Sequence, residues 1–174
     1  MAEIVYNGRK YTRNNSKWVD RDCMVVHEAL QKELNQQYLK TLDLSSYTLK
    51  ELVSEGDKLK DSYTYDRAIV FYEKAVEICD KETLKHILPR ITSCYRHEKK
   101  PRKAIELFSY AKGKYGEDFI TPVLLTSVAA AYCDLKEYEN ALRCCKWAYK
   151  RYNGNMDPNL SNVYARIKKE SGLE

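Results

Sequence analysis

A short pattern of alanines recurs three times in this chain, and it limits the fold more than any other feature. The segments YDRAIVFYEKAVEIC from Tyr65, PRKAIELFSYAKGKYG from Pro101 and YENALRCCKWAYKRYNG from Tyr138 align on Ala68, Ala104 and Ala141. Each has a second alanine seven residues on, at Ala75, Ala111 and Ala148, and a larger residue between them at Tyr72, Phe108 or Cys145. The first alanines are 36 and 37 residues apart. A period of that length marks supersecondary units that bury their apolar faces by stacking.

A second helical pattern lies upstream of each segment. Nine residues before the first alanine stand Leu59, Tyr95 and Tyr132, and twelve before stand Gly56, Thr92 and Ala129. Small residues at these intervals let two antiparallel helices approach, and the larger residue fills the space beside them. The punctuation agrees with helix pairs. Thr48 and Glu51 form a capping box. Thr121-Pro122 and Asp157-Pro158 each set a cap before a proline at the first helical position. Gly116, Gly154 and Gly172 fall just past helix ends, where a left-handed residue is expected. Pro89 interrupts the pattern around Leu84–His97, which predicts a kink there or a helix starting near Leu88.

On these residues the chain resembles the tetratricopeptide repeat family. The motif of small residue, aromatic, alanine, aromatic, alanine over about 34 residues is met by GDKLKDSYTYDRAIVFYEKA and AAAYCDLKEYENALRCCKWA, with TSCYRHEKKPRKAIELFSYA between them. The match runs from about Leu49 to Tyr152. Leu52, Leu88 and Leu125 replace the large tryptophan often found early in the first helix, and Cys145 takes an aromatic's place. The resemblance implies an all-α superhelix of three antiparallel helix pairs, over residues 46–156.

The flanks differ in kind. Ile4-Val5-Tyr6, Asn7-Gly8 and Lys10-Tyr11-Thr12 spell a β-hairpin. A turn at Asn14-Asn15-Ser16 leads to a third short strand at Lys17–Val19, with Trp18 as its anchor. Val26, Leu30, Leu34 and Tyr38 mark a helix from about Met24 to Lys40, so residues 1–45 read as a hairpin plus a helix that caps the first repeat. At the other end, residues 157–174 read as a capping helix with Leu160, Val163, Tyr164 and Ile167 on one stripe.

The sequence carries no phosphate loop, GxSxG, HExxH or CxxC motif, so neither a catalytic residue nor a cofactor is expected. His27, His86 and His97 lack metal-ligand spacing, and no metal site is expected. The six cysteines lack a disulfide spacing; with no apolar leader at the start, they are expected to be reduced thiols in the cytoplasm. Cys145 is expected in the core, as are Tyr72, Tyr95, Tyr132 and Tyr149.

Charge is unevenly spread. Lys85–Lys114 holds nine basic against two acidic residues, while Leu49–Asp80 holds five against eight. The expected function is non-catalytic binding of a peptide or protein segment, with an acidic one among the candidates, in a groove formed by the first helix of each pair. Helical spacing under the resemblance assigns that face to Lys50, Val53, Asp57 and Lys60 of the first repeat. The second repeat adds His86, Pro89, Ser93, Arg96 and His97, and the third Val123, Thr126, Ala130 and Cys133. Val53 and Asp57 stand where the family's carboxylate clamp has Lys and Asn, so a clamp is not implied. A basic cluster of Lys99, Lys100, Arg102 and Lys103 is the second candidate, as a dock for acidic or phosphate groups. Two alternatives stand beside these. One is a chaperone or adaptor like the tetratricopeptide secretion chaperones; the other is a nucleic-acid-binding helical repeat, which is disfavoured because no aromatics interleave the basic cluster.

Overall fold

Asn7 and Gly8 both take positive φ, 49° and 73°, the geometry that a two-residue hairpin turn of matching twist demands. The computed structural model describes residues 2–14 and 17–172. Within it β1 (Glu3–Tyr6), β2 (Arg9–Asn14) and β3 (Lys17–Val19) form an antiparallel sheet in sequence order. Residues 15 and 16 of the expected second turn lie outside the described residues. Trp18 is fully buried and, with Tyr11, packs against Leu34 of α1 (Glu28–Thr41). The Gln31 side chain accepts from the Trp18 amide and donates to its carbonyl, both at 2.8 Å, so α1 satisfies the backbone of β3. Helix α1 begins four residues later than expected, because His27 caps it and Val25 is held in a bridge with Val19.

Seven further α-helices follow: α2 (Leu49–Asp61), α3 (Tyr65–Ile78), α4 (Lys81–His97), α5 (Pro101–Tyr115), α6 (Pro122–Asp134), α7 (Tyr138–Arg151) and α8 (Pro158–Ser171). The capping box at Thr48 and the caps at Thr121 and Asp157 are all made. Asp80 caps α4, so that helix runs through Pro89 instead of starting near Leu88. Gly116 has positive φ but extended ψ (81°, 177°), not the left-handed cap expected, and it feeds a short 3-10 turn at Glu117–Phe119.

The chain divides into two compact units, Met1–Lys74 and Ala75–Glu174, with the boundary inside α3. In the first unit, the Tyr72 ring of α3 lies against Gly56 of α2, and its hydroxyl donates to Asp57 at 2.6 Å. In the second, α4 packs on α5, both pack on α6, and α8 covers α6 and α7. All six repeat alanines are fully buried, as is Leu125, while Leu88 and Cys145 are nearly so. Tyr149 is a correction: it stays partly exposed, pointing outward from α7.

The three helix pairs share a turn that the side-chain pattern does not announce. Tyr63, Lys99 and Lys136 all adopt left-handed φ, near 60°. In each turn the next amide returns to the carbonyl five places back: Thr64 to Leu59, Lys100 to Tyr95, Glu137 to Tyr132, at 2.8–2.9 Å. This closes the first helix of every pair in the same way. The left-handed conformation costs a non-glycine residue about 1–2 kcal/mol, and the paired backbone bonds hold it there.

Candidate functional site

The turn between α4 and α5 brings positive charge to one place. Arg96 stands on the last turn of α4, Lys99 and Lys100 occupy the turn itself, and Pro101 opens α5 with Arg102 and Lys103 behind it. No side chain caps α5 and no acid sits in its first turn, so its positive end adds to the local charge. The end of α6 contributes Asp134 and its cap Leu135, and α8 contributes Arg166. Together with His97 these residues line a recess of about 900 Å³. Six cations therefore surround one carboxylate.

That carboxylate organises two of the cations. Asp134 accepts from Arg96 Nε at 2.7 Å and from Arg166 Nη1 at 2.6 Å, tying α4, α6 and α8 together. Arg166 Nε also donates to Glu170 at 2.7 Å. The bonds from Glu170 and Asp134 hold Arg166 firmly in its charged form. His97 is pushed below its usual range, chiefly by burial and then by the Arg96 charge. Lys103 lies 5.7 Å from the centre of the Tyr95 ring. Lys99, Lys100 and Arg102 have no carboxylate partner among the described residues.

The residues expected to line the groove are scattered by comparison. In the first unit Lys50 is exposed, Val53 half-buried, Asp57 occupied by the Tyr72 hydroxyl, and Lys60 paired with Asp61. In the second, His86 and Val123 are exposed and Ser93 and Pro89 half-buried. Thr126, Ala130 and Cys133 are only 6, 2 and 0% exposed and line no open surface. Cys133 lies under α8 and donates to Glu170 at 3.5 Å, while Thr126 turns its hydroxyl to the Pro122 carbonyl at 3.0 Å. Burial pushes the Cys133 thiol up to about 11, so it is not a reactive thiolate. Arg96, expected to project freely, is instead ion-paired. What the structure brings together is Arg96 and His97 from the groove set with all four residues of the basic cluster.

Asp134, Leu135 and Arg166 were not singled out by the sequence. One signal was present: α6 is apolar almost all round and carries its only charge at its end, Asp134, which is the mark of a largely buried helix. A second recess beside the sheet mixes Arg9, Lys10 and Arg21 with Asp20 and Asp22, and so has no marked charge preference.

No protein-family model and no curated protein matches the chain. Among solved structures it is similar to the Sgt2 TPR domain from Aspergillus fumigatus, with a TM-score of 0.61 over 71% of this chain and 79% of that one, at 17% identity. The fold is that of a tetratricopeptide-repeat domain. Within this tetratricopeptide fold the basic recess sits at the edge formed by the helix-pair turns, where α8 closes it from one side. No described helix is long and apolar enough to cross a membrane.

Proposed function

We propose that the protein is a non-catalytic interaction module that binds an acidic segment of another protein at the edge recess of its second and third repeats. One observation carries this reading: six cations converge on one recess and a single carboxylate opposes them. Such a surplus steers an oppositely charged partner and raises its association rate. Burial of Thr126, Ala130 and Cys133 leaves Val123 as the exposed member of the third repeat's groove set, which favours the turn edge over the groove in this reading.

The test is stopped-flow association of the full chain with a fluorescent decaglutamate peptide. Reversing Lys99, Lys100 and Arg102 to Glu should slow association roughly tenfold or more at low ionic strength, and the difference should shrink as salt screens the charges. These side chains are exposed or without ion-pair partners, so melting should barely move. Unchanged association by the triple variant sinks the reading.

A further inference from the structure

We infer that the edge recess recognises a phosphorylated side chain on the partner segment, taking the phosphate ahead of a carboxylate. The inference rests on the acidic-segment reading and narrows it to one chemical group. Pro101 and Leu135 are the only apolar side chains among its lining residues; the hydrocarbon stems of its lysines and arginines supply the rest of the apolar wall, and their charged heads select the entering group. The recess already contains a carboxylate, Asp134, and among the described residues it pairs with Arg96 and Arg166. Lys99, Lys100 and Arg102 are left without a carboxylate among the described residues, so the surplus is larger than one carboxylate can neutralise. The donors also come from different sides: α4 supplies Arg96, the turn Lys99 and Lys100, the start of α5 Arg102, and α8 Arg166. A carboxylate accepts chiefly in the plane of its two oxygens. A phosphoryl group carries about −1.5 to −2 charges on three oxygens and meets donors converging from several sides. Asp134 then acts as a spacer. It fixes two guanidinium groups through Arg96 Nε and Arg166 Nη1, leaving Arg96 Nη1 and Arg166 Nη2 outside those bonds.

Fluorescence anisotropy on the full chain tests this, using degenerate peptide libraries with phosphoserine, serine or glutamate fixed at the centre, and decaglutamate and pyrophosphate as further probes. At about pH 7.5 the phosphoserine library should bind roughly tenfold tighter than the serine library and several-fold tighter than the glutamate library. The preference over glutamate should narrow below about pH 6, where the phosphate regains its second proton. Arg102→Gln and Lys99→Gln, with circular dichroism as a folding control, should each erase most of the preference. Equal binding of the phosphoserine and glutamate libraries overturns the inference and leaves the acidic-segment reading standing. Loss of decaglutamate and all three libraries together overturns both. A preference that survives both substitutions places the phosphate elsewhere, and pyrophosphate binding as tightly as the phosphoserine library makes the ligand a free anion; either result overturns the inference.

Discussion

Gly56 shows at the residue scale why the small positions of the repeat are small. A β-carbon there would stand 2.7 Å from the Tyr72 ring, and that ring is fully buried with its hydroxyl fixed by Asp57. Gly56→Ala gains about 1 kcal/mol of helix propensity, but overpacking costs about 1–3 kcal/mol. The second effect wins, and the melting temperature should fall; a rise would mean that Tyr72 yields easily. Asp134 gives a prediction of opposite signs in two measurements. Asp134→Ala leaves Arg96 and Arg166 without their shared acceptor, so thermal unfolding should show a loss of about 1–3 kcal/mol. It also removes the one opposing charge in the recess, so affinity for decaglutamate should rise. The alanine positions were legible because each must be small wherever two helices touch. The link through Asp134 was not, because 38 and 32 residues separate it from Arg96 and Arg166 and no local pattern marks such a pair.

The deciding element is α8. Its stripe of Leu160, Val163, Tyr164 and Ile167 was readable from helical spacing, and Leu160 and Ile167 are fully buried. Its seat on α6 was not readable, and so Cys133 was assigned to an open face although it lies against Glu170 of α8. Buried thiols offer a check. Burial holds Cys133 and Cys144 at about 11 and Cys145 at about 12, against an ordinary value of 9.0. Raised folded values mean that the unfolded chain loses these protons first as pH rises. Stability from this source is therefore fully present below about pH 9 and is lost as pH climbs toward 11–12. Thermal melts from neutral pH to about 10.5 should show a steepening fall above 9, smaller in Cys145→Ala compared with its own neutral value. Ending the chain before Pro158 should expose Cys133, seen as faster alkylation of that thiol by iodoacetamide. Equal alkylation rates with and without α8 would mean that the helix does not cover it.

For the whole molecule, the period of 36 and 37 residues carried most of what could be known in advance, since stacked pairs have few ways to bury two faces each. The hairpin was legible from Asn7-Gly8, and Trp18 from its need for a core. The binding surface was only half legible: the basic cluster is contiguous in sequence, whereas the walls that make it a recess come from α6 and α8. The most direct measurement is a nitrogen-15 amide-shift titration of the full chain with decaglutamate. The account predicts that shifts concentrate at Arg96–Lys100, Arg102–Lys103, Asp134–Leu135 and Arg166, with the N-terminal sheet unmoved. Shifts that instead follow Lys50, Val53 and His86 along the first helices, or gather around Trp18, would contradict it.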